Sequence, residues 1–269
     1  MNKLIFLLLL GFFSCTQLKE SVKQESNPIR LRVMAYNVGD FSGSSFENGS
    51  EDGIMLIREA IMSQKADLIG LQEDVANYGI QSPRDVLYDM YDYYYREGGT
   101  MYNYKAFASV YPISNVRPIY YSGDTFGHTF FLAGQLDIEG NRKVLVVSFH
   151  FDWADNYRRG LQIEQVIKYA SIYEYVILMG DTNCVNYVAG ERVDDHYLLY
   201  DIEWAIFADN GYTMANNGEW GLFSTVCEGG KEPVDNIFVK GNIEITDSFI
   251  SQRSWMNDHC MLVSDLLLF

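Results

Sequence analysis

Residues 31–38 read Leu31-Arg32-Val33-Met34-Ala35-Tyr36-Asn37-Val38, an alternating run that predicts a β-strand. A loop rich in Gly, Ser and Asn follows from Gly39 to Gly53. Ile54, Leu56, Ile57 and Ile61 then fall near helical spacing over Ile54–Gln64, and Asp67-Leu68-Ile69-Gly70-Leu71-Gln72-Glu73 is a short apolar strand ending in polar residues. Strand, loop, helix and strand in that order are the signature of an α/β fold.

Strands are also predicted over Lys105–Val110, Pro118–Ser122, Thr129–Ile138, Lys143–Phe151, Tyr175–Gly180, Asp235–Val239 and His259–Leu268. Helices are predicted over Arg158–Glu174, with Leu161, Val166 and Tyr169 toward a core, and within Asp195–Asn210. Roughly ten strands with helices between them predict a four-layer α/β sandwich: two mixed β-sheets packed face to face and flanked by helices. The stretch Asp85–Tyr104 is dense in tyrosine (Tyr88, Tyr91, Tyr93, Tyr94, Tyr95, Tyr102, Tyr104). Such residues can stack on a base, sugar or head group, but more simply they cover sheet edges and helix faces.

The amino end has a different character. Met1-Asn2-Lys3 is a short positive segment, and Leu4–Phe13 is an apolar run too short to span a bilayer but suited to a signal peptide. It ends at Ser14-Cys15 and resembles a bacterial lipoprotein signal, which implies lipidation of Cys15 and export of the chain. Residues 16–28 are polar and aperiodic and read as a tether, leaving 29–269 as one catalytic-sized domain.

At 269 residues and 48% hydrophobic the chain can bury a substantial core. Its formal charge of −16 becomes one unit more negative without Lys3, and basic residues are scattered, which disfavours sequence-independent binding to nucleic acid. Apart from Cys15 the cysteines are Cys184, Cys227 and Cys260, an odd set that allows at most one internal disulfide; without Cys-x-x-Cys a structural zinc site is not expected.

Polar residues gather where apolar strands end. Asn37 and Glu73 close the first two strands, His150 closes Val144-Leu145-Val146-Val147-Ser148-Phe149, and Gly180-Asp181-Thr182-Asn183 follows Val176-Ile177-Leu178-Met179. Asp181 and Asn183 are two apart and share a face if the chain stays extended. The carboxyl edge of a buried sheet is where open α/β folds place ligands. Asp235 opens a further strand and Asp258-His259 precedes the last one. Singly, each of these is as well explained by an Asx turn, a solvated rim or a hydrogen-bonded core histidine.

In order, the six segments Tyr36-Asn37-Val38, Leu71-Gln72-Glu73, Ser148-Phe149-His150-Phe151-Asp152, Gly180-Asp181-Thr182-Asn183, Val234-Asp235-Asn236-Ile237-Phe238 and Asn257-Asp258-His259 resemble the endonuclease/exonuclease/phosphatase superfamily. They cover the chain beyond the tether. The resemblance implies a hydrolase of phosphoesters that uses Mg2+ or Mn2+. Glu73, Asn37 and Asp258 would hold the metal, and Asp181 would orient or deprotonate the attacking water. His259, paired with Asp235, would act at the scissile phosphate, and Asn183 and His150 would grip non-bridging oxygens.

Asn257 stands where the family usually has Ser, and Val110 where it often has Arg; the second change puts phosphate contacts from that strand in question. His150, Asp152, Arg159 and Gln162 together resemble the branches that hydrolyse small phosphodiesters and phosphomonoesters, a pattern shared with the secreted deoxyribonucleases, so it narrows the branch without deciding it. The expected protein is therefore an exported, membrane-anchored, single-chain phosphodiesterase or phosphatase acting on a small or lipid-linked phosphoester. The alternatives are an extracellular nuclease and a non-catalytic surface lipoprotein; a pure binder would not need Asn37, Glu73, Asp181, Asn183, Asp235, Asp258 and His259 together.

Overall fold

Alternation decides which side of a sheet each residue faces, and the first strand shows the consequence. The computed structural model describes residues 27–39, 51–74, 87, 89–98, 104–123, 130–139, 142–183, 201–216, 234–251 and 259–269. The expected leader with Cys15, and most of the tether, lie outside them. Strand β1 (Ile29–Asn37) turns Leu31, Val33 and Ala35 to one face and Met34 and Tyr36 to the other. Helix α1 (Glu51–Gln64) lays Ile57 and Ile61 over the second face. The chain then returns as β2 (Leu68–Gln72), parallel to β1, with Asn37 opposite Gln72.

Strands β3 (Tyr93–Glu97) and β4 (Lys105–Ser109) extend this sheet on one side, and β11 (Ile243–Ile250) and β12 (Leu262–Leu268) on the other, in the order β11-β12-β1-β2-β4-β3. The second sheet consists of β5 (Ile113–Tyr120), β6 (Phe130–Ile138), β7 (Arg142–His150), β8 (Tyr175–Asp181), β9 (Thr213–Met214) and β10 (Asp235–Lys240), in the order β5-β6-β7-β8-β10-β9. It repeats the plan of the first. Its parallel pair, β7 and β8, is joined through helix α2 (Asn156–Ala170), while α3 (Asp201–Asp209) lies between β8 and β9 in the chain.

Three apolar clusters separate four layers. The inner one joins the facing sheets through residues such as Val33, Leu68, Phe107, Val146, Met179 and Ile237. A second lies between the first sheet and α1, and a third between the other sheet and α2 and α3, where Phe207 stacks on Phe238 with ring centroids 3.8 Å apart. The two mixed sheets with outer helices are the four-layer sandwich expected. Among the described residues, no helix is long and apolar enough to cross a membrane.

The differences from expectation have local causes. Tyr93–Glu97 forms a strand inside the tyrosine-rich stretch, but as an edge strand with no buried position it carries no alternation to read. Tyr91 is used within the fold, donating to the Ala66 carbonyl at 3.1 Å, and Tyr94 donates to the Asp74 carboxylate. Strand β11 escaped notice because a register shift between Ile245 and Asp247 breaks its period. Strand β5 starts at Ile113, well before the expected Pro118, which is tolerated there because the strand is at an edge.

Two glycines allow the close approaches that bring the rim of the sandwich together. A Cβ on Gly70 would lie 2.9 Å from Met179 Cβ across the inner face, and one on Gly180 would lie 2.0 Å from the Phe149 carbonyl oxygen. Gly180 directly precedes Asp181 and is paired with Phe149 in the β7–β8 ladder. Gly180→Ala should therefore force the strands apart. Overpacking of this kind costs about 1–3 kcal/mol, so the thermal midpoint should fall by roughly 3–10 °C; a differential scan showing no change would contradict this reading of the β7–β8 contact.

Candidate active site

The inner faces of the two sheets stay apolar along most of their length and become polar at one end. The positions that continue Val33 and Ala35, Val144 and Val146, and Ile177 and Met179 at two-residue steps are Asn37, then Ser148 and His150, then Asp181. Because β1/β2 and β7/β8 are parallel, all four strands deliver their carboxyl ends to this rim. The antiparallel neighbours bring their amino ends: Asp235 pairs with Asp181, and His259 lies just ahead of β12.

Asp181 is the hub. Its Oδ2 lies 3.1 Å from Asn37 Nδ2, 3.5 Å from His150 Nε2 and 3.7 Å from His259 Nε2, while Oδ1 accepts the Asn183 N–H at 2.7 Å. Asn37 also donates to Glu73 Oε1 at 3.3 Å and accepts the Gly39 N–H on Oδ1 at 3.0 Å. Glu73 follows β2 in a left-handed conformation, φ 53°, that turns it out of the strand, and its Oε1 stands 3.9 Å from His150 Nδ1. His259 Nδ1 and Asp235 Oδ2 are 2.7 Å apart. An ionised Asp235 can only accept, so it fixes the proton on Nδ1 and leaves Nε2 facing Asp181.

Secondary contacts hold these groups. Asn216 donates from Nδ2 to the Asp235 carbonyl at 3.0 Å and its N–H donates to Asn236 Oδ1 at 2.9 Å. The Thr182 N–H donates to the Val234 carbonyl at 2.9 Å, tying the exit of β8 to the entry of β10. Beneath the rim, Gln72 Nε2 donates to Ser148 Oγ at 3.0 Å, and Ser148 Oγ donates to the Leu71 carbonyl at 2.8 Å, so a polar bridge joins the two sheets.

The structure thus brings together Asn37, Glu73, His150, Asp181, Asn183, Asp235 and His259. Asn183 directs Nδ2 to the Phe151 carbonyl at 3.0 Å, so part of its amide serves the main chain between the exits of β7 and β8. Asp258 lies outside the described residues. Val110 is at the opposite end of β4, where its N–H donates to the Asp67 carbonyl at 3.0 Å. Five-residue strands put it roughly 15 Å from the rim, so the missing arginine takes nothing from this arrangement.

Sequence reading overlooked Lys105, at the rim end of the same strand. It shares the inward face with Phe107, is 1% exposed, and lies with Nζ 4.5 Å from the centre of the Phe130 ring. The signal was present, since Lys105, Phe107 and Ser109 occupy one face, but a lysine at a strand end reads as solvated. Asp74, next to Glu73, was also passed over; it is fully buried and receives the Tyr94 hydroxyl.

Burial governs the electrostatics. It raises the Asp181 carboxyl above its usual range, with Asp235 adding to the effect and both histidines opposing it. Burial takes Lys105 down to about 7, with Glu73 opposing, and Asp74 up to about 6, with Tyr94 and Arg96 opposing. His150 falls to about 4, chiefly by burial, despite Asp181. At neutral pH the His150 ring is therefore uncharged, and its 3.5 Å contact with Asp181 is not an ion pair. Asp181, Asp235 and His259 offer ligand atoms within 4.8 Å of one another, and Glu73 adds a carboxylate bridged to Asp181 by Asn37. The carboxylate oxygens of this group, crowded out of water, fit a hard divalent cation.

His150 makes stability pH-dependent in a defined direction. Its proton affinity is lower in the folded protein, about 4 against 6.5, so its contribution is complete above pH 6.5. It is lost as pH falls from there toward 4, by up to about 3 kcal/mol; Asp181 acts in the opposite sense. In urea unfolding of the protein in EDTA between pH 6.5 and 4.5, His150→Gln should lose less stability than the wild type, and parallel losses would rule out this role of burial.

The fold is similar to that of an endonuclease/exonuclease/phosphatase from Beutenbergia cavernae DSM 12333, with TM-score 0.73, 17% identity, and 89% of this chain and 72% of that one covered. It is also similar to sphingomyelinase C from Streptomyces griseocarneus, with TM-score 0.64, 17% identity, and coverage of 88% and 99%. Truncated Caenorhabditis elegans TDP2 gives TM-score 0.64, 16% identity, and coverage of 90% and 98%. At these identities the likeness is one of fold. No curated protein matches the sequence. A model of the Endonuclease/Exonuclease/phosphatase family matches residues 34–253, and the chain belongs to that family.

Proposed function

We propose that the protein is an exported, Mg2+- or Mn2+-dependent hydrolase of small or lipid-linked phosphoesters, a phosphodiesterase or a phosphatase. The observation that carries this reading is the convergence on one oxygen, Asp181 Oδ2, of Asn37, His150 and His259 from three other segments within 3.7 Å. A family that includes phosphoester hydrolases supplies the reaction class. Glu73 and Asn37, with Asp258, would hold the metal, which would supply positive charge to the phosphoryl oxygens.

The chain's own side chains then divide the work. Asp181, its carboxyl already raised by burial, orients the attacking water and accepts its proton. His259, held by Asp235 through Nδ1, presents Nε2 to the reacting phosphoryl group. His150, neutral at working pH, offers an N–H donor without adding charge, and Asn183 closes the site from the β8 side. Export is supported by the start of the sequence and by the disulfide-bonded state of Cys260. The net charge of −16 weighs against nucleic acid as substrate.

The purified protein should hydrolyse at least one of bis-p-nitrophenyl phosphate, p-nitrophenyl phosphate, plasmid DNA and sphingomyelin in Mg2+ or Mn2+, with the DNA the poorest. EDTA should abolish turnover, and Asp181→Ala and His259→Ala should each lower it by about 100-fold or more. Turnover that survives EDTA, or is as high in both variants as in the wild type, removes the mechanism. No turnover across the panel favours a binding protein built on the same fold.

A further inference from the structure

The turn leaving β7 contains His150 and then Phe151-Asp152-Trp153-Ala154-Asp155 before α2 begins. It is braced from below to an unusual degree. Gln162 Oε1 accepts the Asp152 N–H at 2.9 Å, and Arg159 Nη1 donates to the Asp152 carbonyl at 2.7 Å; both side chains are 1% exposed. The Asp152 carboxylate in turn accepts the N–H groups of Ala154 and Asp155, each at 2.9 Å, and Arg158 Nη1 at 2.7 Å. Asp155 caps α2 by accepting the Arg158 N–H at 3.0 Å. Arg159 and Gln162, which in the sequence served only to mark a branch of the family, are thus turned inward to fix a backbone.

What this fixed backbone presents is Trp153, 79% exposed, with Tyr157 in the first turn of α2 at 75%. The turn borders the site directly: the Phe151 N–H donates to the Asp181 carbonyl at 3.1 Å, and the Phe151 carbonyl accepts Asn183 Nδ2 at 3.0 Å. Three residues of chain put the Trp153 backbone within about 10 Å of that of His150. A single exposed apolar residue on a surface requires no explanation. Here, however, the largest apolar side chain available stands in water on a rigid support beside the reacting groups.

We propose that Trp153 is a preorganised stacking platform for a flat aromatic group esterified to the substrate phosphate, which makes it a specificity-determining residue. This rests on the hydrolase reading above and narrows its substrate to a phosphoester with an aryl or nucleobase arm. A rigid aromatic loses little entropy when a planar group settles on it. Insertion of the same turn into a bilayer is disfavoured by its surroundings: Asp152, Asp155 and Arg158 lie within five residues of Trp153 and would have to be desolvated with it. Stacking leaves those charges in water.

The test is binding, read by ligand-observed NMR titration of the purified protein in Mg2+ with inorganic phosphate, phenyl phosphate and adenosine 5′-monophosphate. Wild type should bind at least one aromatic ester more tightly than inorganic phosphate, and the better of the two identifies the aryl or nucleobase arm. Trp153→Ala should weaken that aromatic ester by roughly 5- to 100-fold while leaving inorganic phosphate unchanged, and Trp153→Phe should retain most of the affinity. Both variants should melt with the wild type, because the side chain is exposed. Equal affinity of wild type for all three ligands overturns the proposal, as does an equal loss for phosphate and aromatic ester in Trp153→Ala. It is also overturned if Trp153→Ala releases the protein from phosphatidylcholine vesicles but leaves phenyl phosphate affinity intact, since Trp153 would then serve an interface. Because the spectra are taken before product accumulates and report affinity rather than rate, an inactive wild type that still shows the Trp153 effect would sink the hydrolase reading alone.

Discussion

A carboxylate out of water must be compensated, and Asp181 is a buried carboxylate with a second one, Asp235, beside it. Compensation comes from groups that cannot move away: the Asn37 amide and the Asn183 N–H donate to it, and two imidazoles stand beside it, each group fixed at the end of a strand or segment. The rest of the rim follows from holding those groups in place. Gly180 lets β8 come close to β7, Gln72 and Ser148 lock the sheets just below, and Asn216 steadies the Asp235 main chain. A group of acids in this state attracts a cation and readily accepts a proton, which are the two demands of hydrolysis at phosphorus.

The two sheets meet this requirement by the same means. Each has a central parallel pair joined through one helix, and each puts a polar side chain at the carboxyl end of both strands: Asn37 and Glu73 from one sheet, His150 and Asp181 from the other. Packing the sheets face to face turns two half-sites toward one another. A parallel pair leaves the ends of its strands free of tight turns, so the reactive groups sit on stiff elements while their sequence neighbours can differ.

Much of this was legible in the sequence, for a physical reason. Strands buried on both faces carry continuous apolar runs, so a polar residue that ends such a run, as Asp181 ends Val176–Met179 and His150 ends Val144–Phe149, stands out. The order of the six segments added what no single one held. Lys105 did not stand out because β4 is short and begins with it, with no apolar residue before it to mark the position as interior. The inward role of Arg159 and Gln162 was equally hidden, because helical spacing tells which side chains share a face but not that the face closes on a turn's peptide groups. Edge strands β3 and β5 lacked buried partners on one side and so lacked a pattern.

Strand β1 enters the fold at Ile29, beside Leu268 near the chain's other end, and delivers Asn37 to the rim. At strand geometry the two poles are separated by roughly 25 Å. The described domain therefore receives its first strand and releases its last one at the pole opposite the reacting groups, and the mouth of the sandwich faces away from both.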